Sequence, residues 1–289
     1  MKTIIYKQNK HYTLKADLYE ANQQEAPVII YIHGGGLLWG TRKEISKEMI
    51  QLYTDSGFSL FSIDYRLAPE TKLPDILHDI QDAIKWIQTE GVKHFSINPQ
   101  KMAVVGGSAG GFLALSTGTF ENKPKAIVSF YGYSDLNAAW AIKPSQHYRQ
   151  KEIIPEKIAK QFISKSTITE GPIQKRYLLY LYARQTGEWV EEITGISPNL
   201  NQRELTLYSP IYHIQEDYPA TLLLHGTADT DVPYEQSVLT RDTLVNKGID
   251  AELITITNGE HVFDKEFNRP IVQDALKQVI QFLHTRLNG

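Results

Sequence analysis

A serine with glycines two residues away on either side, as in Gly106-Gly107-Ser108-Ala109-Gly110-Gly111, can act as an acyl-transfer nucleophile if the chain turns sharply around it. Only small residues let the backbone double back there, so Gly106 and Gly110 clear space while Ser108 projects its hydroxyl. Met102-Ala103-Val104-Val105 before it reads as a strand, and the segment from Ala109 to about Thr119 as a helix, which is the setting this motif requires. At the start of that helix the free N–H of Ala109 faces developing negative charge. His33-Gly34-Gly35-Gly36, after an earlier apolar strand, offers further bare N–H groups. Gly35 and Gly36, on the part of the loop able to turn inward, join Ala109 as the expected oxyanion donors.

A hydroxyl near neutral pH needs a base to accept its proton. Of nine histidines, His261 follows the last predicted strand in Asn258-Gly259-Glu260-His261-Val262-Phe263, and parallel strands bring their C-terminal ends together; it is the expected general base. His33 reads as a brace for its loop and His225 as turn support, while His11, His78, His94, His147, His213 and His284 fall in the edge strand, helices or insertion. The base in turn needs an acid to fix its tautomer. Asp229, in His225-Gly226-Thr227-Ala228-Asp229-Thr230-Asp231-Val232-Pro233, is the expected partner, with turn formation as its alternative role. Asp231 is placed to cap the following helix, and Glu260 and Asp264 lie too close to His261 to reach round.

The elements that must hold these residues alternate. An antiparallel edge pair, Thr3 to Tyr6 and Tyr12 to Tyr19, precedes a β-branched strand, Val28 to Ile32, of the kind covered by helices on both sides. Helix from about Lys43, strand Phe58 to Ile63, and a helix opened by Pro74 follow; Ile76, Ile80, Ala83, Ile84 and Ile87 form its apolar stripe, with Gly91 as the expected C-cap. Asn98-Pro99 reads as a turn into the strand before Ser108. Strands Ala126 to Phe130, Thr221 to Leu224 and Glu252 to Ile256, with helices Tyr234 to Asn246 and Pro270 to about Leu287, complete an α/β pattern. Residues 134–213 break the alternation and read as an insertion with amphipathic pieces such as Ile153 to Ile163. Most of its aromatics, among them Trp140, Tyr148, Tyr177, Tyr180 and Trp189, are expected to pack and a minority to line a pocket.

The 289 residues, 42% hydrophobic and 22% charged, can bury one large core. A formal charge of −3 without blocks of like charge argues against nucleic acid or anionic membrane as partners. The absence of cysteine rules out disulfides, thiolate metal sites and a thiol nucleophile. A start that turns polar at Lys2 and the lack of a span of membrane length predict a cytoplasmic protein.

With these residues in place the sequence resembles the α/β-hydrolase superfamily, and within it the small carboxylesterases and acetyl esterases related to the hormone-sensitive-lipase group. The likeness rests on His33-Gly34-Gly35-Gly36, Tyr65-Arg66-Leu67-Ala68-Pro69-Glu70 and Gly106-Gly107-Ser108-Ala109-Gly110-Gly111 in that order. It implies one α/β-hydrolase domain over residues 1–289: a mostly parallel sheet, helices on both faces and a helical cap from the insertion. It also implies that Arg66 and Glu70 tie the loop behind the site. The sequence departs from that group at Gly107, where the group often has Asp, and in the short chain before His33. The run His225 to Pro233 is closer to acetyl-esterase, feruloyl-esterase-like and prolyl-oligopeptidase-type enzymes.

The expected activity is therefore a serine esterase acting on small, short-acyl esters, without metal or organic cofactor, through Ser108, His261 and Asp229. The same machinery would serve a thioesterase, arylformamidase or peptidase, and no residue separates these. A ligand-binding protein on a hydrolase scaffold is the reading from a different class, opposed by three filled triad positions. A homodimer through Glu252 to Ile256 or the terminal helix and a monomer both fit the sequence.

Overall fold

The computed structural model describes residues 1–288. Strands β1 (Lys2–Gln8), β2 (Thr13–Tyr19), β3 (Ala26–Ile32), β4 (Ser59–Ile63), β5 (Ile97–Gly107), β6 (Ala126–Phe130), β7 (Ala220–Gly226) and β8 (Ala251–Ile256) form one sheet in the order β1-β2-β4-β3-β5-β6-β7-β8. β1 and β2 run antiparallel to each other and β2 to β4, and every other pairing is parallel.

Successive side chains of a strand point to opposite faces, and here both faces are apolar. Val28, Ile30, Ile32, Val104 and Ile127 belong to one core, while Ile29, Ala103, Val105, Val128, Leu222 and Leu224 belong to the other. Helices α1 (Lys47–Asp55) and α6 (Pro270–Asn288) cover the second core through Met49, Tyr53, Val272, Ala275, Val279 and Leu283. Helices α2 (Leu73–Trp86) and α3 (Ala109–Thr117) cover the first, together with the segment between β6 and β7, whose longest helix is α4 (Ile173–Thr186). Helix α5 (Glu235–Asn246) links β7 to β8. Among the described residues no helix is long and apolar enough to cross a membrane.

Three local expectations change. Gly91 does not end the helix: the chain continues as a π-helical turn, Ile87–Gly91, into Val92–His94, and Gly91 has an ordinary helical φ of −55°. A Cβ there would lie 3.2 Å from the Trp86 ring and 3.3 Å from Ile97, so the glycine serves packing. Asn98-Pro99 lies inside β5, where pairing with β3 jumps from Pro27↔Asn98 to Val28↔Met102; the turn is a bulge in a continuous strand. The amphipathic piece at Ile153 to Ile163 shortens to Glu156–Ala159 and a 3₁₀ turn, Lys160–Phe162, because Pro155 starts it late.

Arg66 and Glu70 tie the chain in opposite directions. Asp79 on α2 is fully buried and receives Arg66 N (3.1 Å), Nε (2.7 Å) and Nη2 (2.8 Å) as well as Lys7 Nζ (2.8 Å). Glu70 instead pairs with Arg176 of α4 at 2.8 Å through both carboxylate oxygens and accepts the Ser164 N–H at 2.7 Å. Breaking a buried pair from one side leaves an uncompensated charge at a cost of about 3–5 kcal/mol. Asp79→Ala is therefore expected to lose at least about 3 kcal/mol in urea denaturation; stability close to wild type would show that water replaces the carboxylate.

Candidate active site

After β3 the chain moves to β4 on one side, and after β5 it moves to β6 on the other. Loops leaving the C-terminal ends of β3 and β5 thus diverge and open a crevice at the sheet's edge, the usual ligand position in such folds. Ser108 follows β5 at φ 56° and ψ −121°, a strained backbone for a residue with a side chain. The tight turn needs its glycines: a Cβ on Gly106 would lie 2.2 Å from Gly110 O, and one on Gly110 2.1 Å from Ile32 O.

Ser108, His261 and Asp229, from the ends of β5, β8 and β7, meet in one hydrogen-bonded row. His261 Nε2 lies 3.0 Å from Ser108 Oγ, and His261 Nδ1 lies 2.7 Å from Asp229 Oδ2. The other carboxylate oxygen, Oδ1, is fixed by the N–H groups of Asp231 (2.9 Å) and Val232 (3.0 Å), so the carboxylate cannot swing away. His225 is buried behind it. Its Nε2 is 3.0 Å from Val232 O and 3.2 Å from Asp229 Oδ2, which places the proton on Nε2 and leaves Nδ1 to accept from the Ser237 hydroxyl at 2.7 Å. The turn-support reading of His225 is thus extended: it also faces the acid.

Burial acts to raise the Asp229 carboxyl, but hydrogen bonds from His225 and His261 outweigh it and hold the group below the ordinary carboxylate range. Burial acts to lower His261, and the Asp229 hydrogen bond with the charges of Asp231, Asp229 and Asp264 outweighs that, leaving the imidazole above its ordinary value. A carboxylate that accepts the Nδ1 proton keeps the Nε2 lone pair toward Ser108 Oγ, which lets the imidazole take the hydroxyl proton.

The glycine loop lies against the same turn. Gly34 approaches so closely that a Cβ would sit 2.9 Å from Gly107 O, and Gly35 has a φ of +98° that favours glycine. Among the described residues, the N–H groups of Gly35, Gly36 and Ala109 donate to no protein acceptor. His33 braces this loop: its ring stacks on Tyr65 at 4.3 Å, Nδ1 lies 2.9 Å from Gly34 O, and burial pushes its pKa down to about 4, so it stays neutral. The Tyr65 hydroxyl donates to His33 O (3.0 Å) and Gly34 O (3.1 Å).

Ser108 and His261 open into a cavity of about 310 Å³. Of the insertion's aromatics, Tyr148, Tyr177 and Tyr180 line it beside Trp39, whereas Trp140 and Trp189 pack beneath them, Trp189 donating to Gly36 O at 3.0 Å. The sequence reading missed three groups in this wall. Tyr131 lies 4.8 Å from the His261 ring and donates to Asp264 Oδ1 at 2.5 Å; its hydroxyl would be 2.9 Å from a Cβ on Gly107, which accounts for glycine there. Asp264 therefore partners a tyrosine. Asp231 does not cap α5, whose first turn has no side-chain cap; its carboxylate faces the cavity instead. A distance along the chain is a poor guide to any of these, since each depends on where a loop side chain points.

This sheet, with a serine, a histidine and an acid at its strand ends, is that of an α/β hydrolase. The chain belongs to the BD-FAE family, whose profile matches residues 16–244, and the grouping with hormone-sensitive-lipase-related enzymes is consistent with it. An α/β hydrolase superfamily protein from Enterococcus faecalis is 25% identical, with a TM-score of 0.78 over 95% of this chain and 96% of its own. Esterase 2 of Thermogutta terrifontis, 21% identical, shares the fold with a TM-score of 0.69 over 98% of this chain and 91% of its own. A non-reducing polyketide synthase of Penicillium brasilianum is 27% identical over 99% of this chain. The chain spans only 14% of that synthase's length.

Proposed function

We propose that the protein is a serine carboxylesterase that cleaves small, short-acyl esters through an acyl-enzyme intermediate. The observation that carries this reading is the continuous row Ser108 Oγ, His261 Nε2, His261 Nδ1, Asp229 Oδ2 at 3.0 and 2.7 Å, opening into a cavity. Ser108 Oγ attacks the ester carbonyl as its proton passes to His261 Nε2, and the N–H groups of Gly35, Gly36 and Ala109 receive the oxyanion. The imidazolium then protonates the departing alkoxide, and water repeats the sequence on the acyl-serine. A cavity of about 310 Å³ walled by Trp39, Tyr148, Tyr177 and Tyr180 favours a compact ester over a long-chain one.

The test is hydrolysis of p-nitrophenyl acetate across pH. Only neutral His261 accepts a proton, and its pKa is raised, so the base is present above that value and lost as pH falls through it. The kcat/KM profile is expected to fall on the acid side with a midpoint above about 6.5, the unperturbed imidazole value. A profile flat from about pH 5 to 9 would remove the imidazole from the reaction, and no hydrolysis would overturn the esterase reading.

A further inference from the structure

Asp231 has no task in the steps above, yet its side chain is held at the reacting centre. Its Oδ1 accepts the Tyr180 hydroxyl at 2.5 Å and lies 3.9 Å from Arg184 Nη2. Both partners are on α4, and Arg184 is itself fixed by Trp140 O and Asp231 O, each at 3.0 Å. Oδ2 lies 3.7 Å from His261 Nε2, and the Tyr148 hydroxyl also approaches the carboxylate. Two acceptors, one imidazole lone pair and one carboxylate oxygen, thus stand close enough for a single water to donate one proton to each with bent hydrogen bonds.

We infer that Asp231 is a catalytic residue of deacylation, holding the attacking water between its Oδ2 and His261 Nε2. The inference rests on the acyl-enzyme reading proposed above. Water oxygen bonds to the acyl carbon while one of its protons moves to Nε2; the other stays on the new oxygen, directed at Oδ2. The Ser108 Oγ–carbon bond then breaks, Oγ recovers the proton from Nε2, and the carboxylic acid leaves. Asp231 exchanges no net proton. Acylation makes less use of it, because the attacking group there is Ser108.

The expected result separates the two half-reactions. In Asp231→Ala no carboxylate oxygen remains to accept from the water, and no new donor is turned toward His261 Nε2, so the base keeps its lone pair for Ser108. Rapid mixing with p-nitrophenyl acetate, above the pH at which His261 is neutral, should give a burst of p-nitrophenolate and then a steady rate about 10- to 100-fold below wild type, the effect of one hydrogen bond to a charged group. Intact-mass measurement should find acetylated Ser108 accumulating, with kcat and KM falling together and kcat/KM held within about threefold. Methanol has a single donor, so added methanol should capture a larger share of the acetyl group in Asp231→Ala than in wild type. Asp231→Asn, whose amide N–H can occupy Nε2, should shift the same partition and also lower kcat/KM.

In Asp231→Ala a fall in kcat/KM equal to that in kcat with no acetyl-enzyme, or an unchanged methanol partition in both variants, would overturn the inference while leaving the esterase reading in place. Failure of wild type to acetylate Ser108 at all would overturn both.

Discussion

Ser108→Ala and His261→Ala are each expected to lower kcat for p-nitrophenyl acetate by about 10⁶-fold, and the double variant to be no worse than either single one. The two side chains are one device: at 3.0 Å the imidazole makes the hydroxyl reactive, and neither has a nucleophilic role without the other. What survives should be the contribution of the Gly35, Gly36 and Ala109 donors, about 10³- to 10⁴-fold over water. Steady-state assays beside thermal melts check this, the melts guarding against misfolding. Retention of more than about 1% of wild-type kcat by either folded variant would reassign the nucleophile or base.

Asp229→Asn should cost about 10⁴-fold in kcat/KM while the protein stays folded. The N–H groups of Asp231 and Val232 occupy Oδ1, so the amide oxygen is drawn to that position and the amide nitrogen faces His261 and His225. A donor opposite His261 Nδ1 makes that nitrogen the acceptor and moves the ring proton to Nε2, where it blocks the approach of the Ser108 proton. Asp231→Ala is the contrast: by the role assigned to Asp231, it spares kcat/KM. A loss under about tenfold in Asp229→Asn, with a large one in Asp231→Ala, would mean the acid is the other carboxylate.

Much of this arrangement is legible in the sequence because its signals are local. Glycines around Ser108, three more after the strand ending at Ile32, and Asp229 and His261 each a few residues past an apolar strand are enough, since parallel strands bring distant loops to one end. What escapes is side-chain direction. Asp231 follows Asp229 by two residues and carries the marks of a helix cap, but its backbone N–H is engaged in the turn by Asp229 and Tyr180 draws its carboxylate toward the cavity. Tyr131 and Asp264 meet only because β6 and the loop after His261 end side by side. Gly91 has a stop signal's sequence context, and packing against Trp86 and Ile97 overrides it. Nor does composition tell Tyr177, which lines the cavity, from Trp189, which supports it.

The insertion grips the body through Glu170 to Arg42, Arg176 to Glu70, the Gly171 backbone to Gly40, and Trp189 to Gly36. Apart from Tyr180, which lines the cavity and also donates to Asp231, the grips and the lining residues Tyr148, Tyr177 and Ile173 are different side chains. Attachment and selectivity can therefore drift apart under mutation: the mouth of the cavity can be recut for another ester while the donors and the imidazole keep their places.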